Sequence, residues 1–176
     1  MPDVKTIDHF TGKDYGFLSW EYDGRPSLFP VLDTKKNQHT PTFNHAHSFP
    51  TVKSAFDYAQ QLHKELHSNN DGRLGQIVQN WEDIRDVIML QLLRQKFEPT
   101  EAPWLAWKLI YTGISPLHYG NTIGEKYWGC DRNNLQDGEN KLGKLLMEVR
   151  DEIWDITQIV SPRKMGLPMR IGDVKT

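Results

Sequence analysis

Residues 117–129 bring aromatic rings, an amide, glycines and a carboxylate together in one stretch without hydrophobic periodicity. Tyr127 and Trp128 could stack on a planar base, and Asn121 could hydrogen-bond a sugar. Gly129 would let the backbone approach a ligand closely, since it lacks a Cβ atom. The alternative is a loop that its own aromatic residues anchor to the core. Residue types alone leave both interpretations open.

Lys53 and Asp57 form a second candidate group because they lie four residues apart. On a helix this spacing places both side chains on one face. An amine and a carboxylate on one face could serve a reaction, whereas the simpler interpretation is a surface ion pair.

Metal, thiol and common cofactor chemistry have weaker support. His45 and His47, with His39 nearby, lack an acidic or cysteine partner, so we expect loop histidines and no metal site. No neighbouring group would activate Cys130, which favours a buried or incidental thiol. The glycine-rich nucleotide-binding motifs and the GxSxG motif are absent, so no cofactor is expected.

Hydrophobic spacing predicts four helices to position these groups. The first buries Val52, Ala55, Phe56 and Ala59, and the last carries an apolar stripe from Leu142 to Val160. Each predicted helix has a signal for its start and one for its end. In chain order, the start and end signals are Thr51 and His67, Asn80 and Pro99, Thr100 and Gly113, and Asn140 and Pro162.

The N-terminal region has a different character. Residues 15–22 are aromatic and β-prone, residues 23–26 resemble a turn, and an apolar segment follows at 28–32. These features predict a short hairpin or edge strands. The expected fold is therefore mainly α (α+β), a single domain over 1–176 with a small N-terminal β element and a tail at 161–176.

The composition limits the protein class. The chain has 176 residues with 21 Lys and Arg against 23 Asp and Glu, a formal charge of −2. This balance argues against strong nonspecific DNA affinity. No apolar run approaches membrane-spanning length, and no signal sequence begins the chain. We therefore expect a cytoplasmic protein without a membrane partner.

Four segments of the chain carry distinctive motifs: residues 14–19, residues 80–97 with 111–113, residues 127–129 and residues 140–150. The second has the pattern W…R…M…KF…TG, the third contains WG, and the fourth has the pattern N-x-LG-x-LLM-x-x-R. In this order the motifs resemble those of the YbiA-like, or NADAR, family, and the resemblance covers roughly residues 7–156.

The resemblance implies an N-glycosidase that hydrolyses a ribosyl–nitrogen bond. Substrates in the family are ADP-ribose attached to guanine bases and phosphoribosylamino-pyrimidine intermediates of riboflavin synthesis. An ADP-ribosyl or phosphoribosyl ligand is therefore expected. A modified DNA base would have to be single-stranded or flipped out to reach the pocket.

This chain departs from the family pattern at ligand-facing positions. Lys53 and Ser54 replace the usual Glu-His, and Tyr119 replaces another carboxylate. The acid before the WG motif is Glu125 rather than Asp, and Trp20 replaces an Asn. The scaffold is thus retained while the site has changed.

The resemblance then assigns candidate roles. Glu125 is the first candidate for the general acid or base, against an exposed loop glutamate. Lys53 and Asp57 are candidates for a rewired catalytic pair, with Gln60 binding the ligand on the same face. Arg73 and Arg85 could bind phosphate or diphosphate, or could instead pair with helix carboxylates. The candidate ligand-binding residues are Trp128, Tyr127, Gln60, Asn121, Gly129, Tyr119 and Arg73.

The leading hypothesis is removal of ADP-ribose from a modified guanine, with Lys53, Asp57, Gln60, Glu125 and Trp128 lining one concavity. Alternatives are cleavage of phosphoribosylamino-pyrimidine intermediates and a catalytically weakened module that binds NAD or ADP-ribose. A further alternative is an interaction protein that retains only the fold.

Overall fold

The computed structural model describes residues 5–22, 27–28, 48–68 and 80–159. Two compact units divide the chain: one combines Met1–Ser19 with Phe97–Thr176, and the other is Trp20–Lys96. The described residues are mainly helical, which confirms the predicted class. The assignment of 1–176 to one domain stays a prediction.

Two helices form the main packing within the unit Trp20–Lys96. Helix α2 spans Val52–Ser68 and packs against α3, Trp81–Lys96. Thr51 caps α2 as predicted, since its Oγ1 accepts a hydrogen bond from the Ser54 backbone N–H at 3.1 Å. The predicted buried face of α2 is confirmed at Val52, Ala55, Phe56 and Ala59.

Helix α3 starts after Asn80 as predicted, but its buried stripe differs from the expected one. The spacing of Trp81, Ile84, Ile88 and Leu92 predicts the buried stripe of this helix. Only Leu92 of the four is fully buried, while the other three are half-buried. Met89, Leu93 and Lys96 are buried instead. The helix is apolar on more than one side, so neighbouring elements rather than periodicity decide its inward face.

The predicted N-terminal hairpin is not confirmed. Residues Gly12–Tyr15 form α1 and Gly16–Leu18 form a 3-10 turn, where a strand was expected. Consecutive Phe17 and Leu18 are both buried, which the alternating faces of a half-buried strand would not allow. Strand β1, Ser27–Leu28, pairs antiparallel with β2, Ser48–Phe49, rather than with residues 15–22.

Helices α4, Pro103–Tyr111, and α5, Lys141–Ile159, pack together in the other unit. The cap predicted at Thr100 is wrong: Ala102 is the N-cap and Pro103 opens the helix. Proline suits this position because its fixed φ is helical and it lacks an N–H that would stay unpaired. Gly113 lies beyond the end of α4 with φ +61°, as predicted.

Helix α5 confirms most of its predicted apolar stripe, with Leu142 and Leu146 among its buried residues. Ile156 is exposed, whereas Arg150 is buried. Arg150 Nη1 donates hydrogen bonds of 2.9 Å to Thr112 Oγ1 and to the Ser115 carbonyl. These contacts hold the end of α4 against α5.

A connection without helices joins α4 to α5, in agreement with the lack of hydrophobic periodicity at residues 117–129. Within it, β3, Gly120–Asn121, pairs in parallel with β4, Cys130–Asp131. The Cys130 N–H donates to the Tyr119 carbonyl at 3.0 Å. This small sheet closes residues 121–130 into a compact loop, called here the Glu125 loop.

Candidate active site

The Glu125 carboxylate is fixed by the backbone of its own loop. Its Oε1 atom accepts hydrogen bonds from the N–H groups of Tyr127 at 2.8 Å and Trp128 at 3.0 Å. Glu125 is half-buried, and both bonds use the same oxygen. Among the described residues, no hydrogen bond is made by Oε2. The acid therefore has a defined orientation and one oxygen available for chemistry.

Asn121 organises the same loop. Its Oδ1 atom accepts the N–H groups of Ile123 at 3.2 Å and Glu125 at 3.0 Å. Its Nδ2 atom donates to the carbonyls of Glu125 at 2.7 Å and Cys130 at 3.1 Å. These four bonds use the donors of the amide and both acceptor positions. The contact with a sugar expected of Asn121 would therefore compete with the loop itself.

The backbone packs so closely around position 129 that only glycine fits there. A Cβ atom at this position would lie 2.3 Å from the Tyr119 carbonyl oxygen and 2.7 Å from Asn121 Nδ2. The ring of Tyr119 stacks on Phe10 with centroids 5.7 Å apart. The missing Cβ thus serves the protein's own packing, and ligand contacts by Gly129 and Tyr119 stay predictions.

The two aromatic residues of the WG motif differ in exposure. Trp128 is 6% exposed, and Tyr127 is half-buried. Their rings meet edge-on with centroids 5.0 Å apart, and the Lys141 ammonium lies 5.6 Å from the Tyr127 ring centroid. Tyr127 therefore has more surface than Trp128 to offer a base. Stacking by either ring stays a prediction.

Asn140 fastens the start of α5 to the residues before the Glu125 loop. It is buried and adopts φ +52°, a left-handed conformation that asparagine tolerates. Its Nδ2 donates to the Leu117 carbonyl and its Oδ1 accepts the Tyr119 N–H, both at 2.9 Å. The sequence indicated Asn140 as a helix cap, but not this link to residues 117–119.

Lys53 and Asp57 lie on one face of α2, as predicted. Lys53 Nζ is 2.5 Å from Asp57 Oδ2, and the side chains are 37% and 53% exposed. The same ammonium lies 5.9 Å from the Trp20 ring centroid. The structure thus forms the ion pair that was the simpler interpretation. An exposed pair of this kind contributes about 0.3–0.5 kcal/mol to stability.

The remaining candidates are less defined. Gln60 is half-buried on α2. Arg85 pairs with Glu82 one helical turn away. Arg73, like His39, His45 and His47, lies outside the described residues. Within the ranges that the structure describes, no three His, Cys, Asp or Glu side chains form a group that could hold a metal ion.

Lys96 is a chemically distinctive residue that the sequence analysis treated only as part of a family block. It is buried in the last turn of α3, with its ammonium 5.6 Å from the Tyr22 ring centroid. Burial lowers the pKa of Lys96 to about 7, so the amine titrates near neutral pH. In the sequence, Lys96 stands next to the apolar residues Leu92, Leu93 and Phe97, and this position could have indicated that the lysine is buried.

Cys130 is a free cysteine and is buried, as one of the two alternatives from the sequence predicted. Burial raises its pKa, and the negative charges of Asp131 and Asp8 act in the same direction. The thiol therefore stays protonated at neutral pH and is a poor nucleophile.

Comparison with known proteins decides the family. Residues 10–154 match the NADAR domain. The chain belongs to the NADAR family. N-glycosidase YbiA of Shigella flexneri serotype 5b is 36% identical over 158 residues, covering 87% of this chain and 91% of the relative. N-glycosidase YbiA of Escherichia coli K12 is 35% identical over 74 residues, which cover 42% of this chain and 43% of the relative.

The fold of this NADAR protein also has a solved counterpart. The NMR structure of E. coli YbiA superposes with a TM-score of 0.53 at 23% identity, covering 88% of each chain. The helical YbiA-like architecture is therefore shown. None of the described helices is both long and apolar enough to cross a bilayer.

Proposed function

We propose that this NADAR protein is an N-glycosidase that removes ADP-ribose from a modified guanine base. The observation that carries the proposal is the Glu125 carboxylate, oriented by two backbone N–H groups within the family's WG motif. Relatives named N-glycosidase that align with most of this chain support the reaction class. The ADP-ribosyl substrate rests on the family resemblance.

Hydrolysis of the C–N bond requires a group that tolerates positive charge. As the bond between ribose C1′ and the guanine nitrogen lengthens, its electron pair moves to the base and C1′ acquires oxocarbenium character. The Glu125 carboxylate would stabilise that charge and accept a proton from the attacking water. The water oxygen bonds to C1′ and the guanine nitrogen gains a proton, so ADP-ribose is released and an unmodified guanine base remains in the nucleic acid.

Attack by the Lys53 amine is the competing route. A neutral amine would bond to C1′ and displace the base, and water would then release the sugar. The ion pair with Asp57 opposes this route because it engages the Lys53 nitrogen that would have to attack C1′. Glu125 is therefore the preferred catalytic residue, and Asp57 serves mainly as the partner of Lys53.

A binding module is the second candidate function. The observation that favours it is the replacement of two family carboxylates by Lys53 and Tyr119. Such a module would hold ADP-ribose or NAD without cleaving it. Cleavage of phosphoribosylamino-pyrimidine intermediates is the other enzymatic alternative.

The decisive experiment measures free ADP-ribose released from an oligonucleotide that carries ADP-ribosylated guanine. We expect release by the wild type and a large loss in the Glu125→Gln variant. Binding of ADP-ribose without release would instead support the binding module. Release that Glu125→Gln leaves unchanged, together with trapping of a sugar on Lys53 by borohydride, would support the amine route. A parallel assay with a phosphoribosylamino-pyrimidine tests the other substrate class.

A further inference from the structure

The Asn121 side chain holds both backbone polar groups of Glu125. Its Oδ1 atom accepts the Glu125 N–H at 3.0 Å, and its Nδ2 atom donates to the Glu125 carbonyl at 2.7 Å. An amide that pairs with the N–H and the C=O of one residue determines where the backbone of that residue lies. The place from which the Glu125 side chain extends therefore depends on Asn121.

Asn121 is itself fixed at the small sheet where the Glu125 loop begins and ends. Its backbone carbonyl accepts the Arg132 N–H at 3.0 Å. Its Nδ2 atom also donates to the Cys130 carbonyl at 3.1 Å, so the amide contacts β4 while its own backbone belongs to β3. The amide thus links the sheet directly to the residue that carries the acid.

The backbone that binds the carboxylate is anchored separately, at the start of α5. The Lys126 carbonyl accepts the Glu139 N–H at 2.6 Å, and the Tyr127 carbonyl accepts the Lys141 N–H at 3.1 Å. The same two peptide groups donate their N–H groups to Glu125 Oε1. Each peptide group therefore accepts one hydrogen bond and donates another to the acid, and such consecutive bonds strengthen each other.

Gly129 leaves the space that the Asn121 amide occupies. A Cβ atom at position 129 would lie 2.7 Å from Asn121 Nδ2, which is closer than two such atoms can approach. The glycine of the WG motif thus permits the hydrogen bonds of Asn121, while the backbone just before it binds the Glu125 carboxylate.

We propose that Asn121 is a positioning residue for Glu125 and not a sugar ligand. Its amide holds the backbone of residue 125 where the carboxylate can reach the two N–H groups of the WG motif. Both donors and both acceptor positions of the amide are used within the loop, so a sugar hydroxyl would have to displace one of these bonds. The inference rests on the proposed function for the role of Glu125 in hydrolysis.

Amide hydrogen exchange, measured for each residue by NMR, tests the positioning role without a substrate. We expect the N–H groups of Tyr127 and Trp128 to exchange about tenfold faster or more in Asn121→Ala, because the loop that protects them opens more often. Asn133→Ala makes the same change at an exposed position of the same connection and should leave both rates unchanged. Unchanged exchange in Asn121→Ala would overturn the proposal.

Asn121→Asp serves the same test if Asn121→Ala does not fold. Aspartate has nearly the same size and keeps the Oδ1 acceptor, but it replaces the Nδ2 donor that binds the carbonyls of Glu125 and Cys130. Faster exchange of the Tyr127 and Trp128 N–H groups is expected here too, and wild-type exchange would count against the proposal.

Kinetics distinguish a positioning residue from a sugar ligand. For release of ADP-ribose from modified guanine, Asn121→Ala should lower kcat about tenfold or more, with KM and ADP-ribose affinity nearly unchanged. In a Glu125→Gln background the same substitution should have little further effect, since Asn121 acts through Glu125.

Two other outcomes separate this inference from the proposed function. Weaker ADP-ribose binding by Asn121→Ala, with unchanged exchange at Tyr127 and Trp128, would assign Asn121 to the sugar and overturn the positioning role. A wild type that releases no ADP-ribose would contradict the proposed function, and the exchange rates would then decide the role of Asn121 by themselves.

Discussion

The Oε1 atom of Glu125 lies 3.0 Å from the backbone nitrogen of Trp128, so these two candidate residues are linked through the loop backbone. The carboxylate caps the turn that leads into the WG motif. A single side chain thereby has two roles to test, since it stabilises the loop and could also assist catalysis. Substitutions that separate these roles are available.

Glu125→Gln should preserve the loop and remove the chemistry. Glutamine keeps the Oε1 acceptor for the two N–H groups, whereas it cannot act as a base or stabilise a cation as well as a carboxylate does. We expect the cleavage rate to fall about 100-fold or more, with the thermal unfolding midpoint nearly unchanged. The measurements are ADP-ribose release and thermal unfolding of the same preparation.

Glu125→Ala is the companion variant, since it removes both loop hydrogen bonds. It should lower the free energy of unfolding by about 1–3 kcal/mol. Normal cleavage by Glu125→Gln, combined with destabilisation of Glu125→Ala, would assign Glu125 to the loop structure alone.

Trp128→Leu should destabilise the protein more than the substitution of an exposed aromatic residue would. Trp128 is 6% exposed, and removal of a buried tryptophan side chain costs up to about 3–5 kcal/mol. ADP-ribose affinity, measured on the folded variant by calorimetry, tests the stacking role. A loss of about tenfold is expected if the ring stacks on the base. Unchanged affinity would assign Trp128 to packing.

Asn140→Ala should destabilise the protein by at least about 2 kcal/mol. The change leaves the Leu117 carbonyl and the Tyr119 N–H without their partner, and each unsatisfied buried group costs about 1–3 kcal/mol. Alanine is also less tolerant of the positive φ of this position. Urea unfolding of this variant and of Asn133→Ala, an exposed control in the same connection, provides the comparison.

Lys96→Met should stabilise the protein most at neutral and lower pH. Burial lowers the pKa of Lys96 from 10.5 to about 7, so between these pH values the unfolded chain binds a proton that the folded chain does not. The wild-type free energy of unfolding therefore gains a contribution that rises with pH across this window. Methionine removes the titration, and its advantage should shrink as the pH approaches 10.5.

The measurement for Lys96 is urea unfolding at several pH values from 7 to 10, with Lys144→Met as the control. Lys144 is an exposed residue of α5, so its substitution should show no such trend. An advantage of Lys96→Met that is constant over this pH range would contradict a depressed pKa for Lys96.

The positions of the helices follow from local sequence because periodicity and caps are local signals, although the buried face of α3 and the N-cap of α4 differ from the prediction. Thr51 and Gly113 mark the ends of α2 and α4 as expected, and the inward face of α2 matches its pattern. The segment 15–22 was misread as a strand because aromatic content is a weak signal of conformation. Burial of Phe17 and Leu18 together is a tertiary outcome that no local pattern displays.

The amino-acid sequence alone determined the family, the helical class and the Lys53–Asp57 spacing, since motif order and helical periodicity are properties of the chain itself. Only the tertiary structure decided what the candidate side chains contact. In the folded protein, Asn121 hydrogen-bonds within its own loop, backbone N–H groups orient Glu125, and Lys96 is buried. These outcomes depend on which atoms folding brings within a few ångströms and removes from water, and that information is not carried by residue spacing.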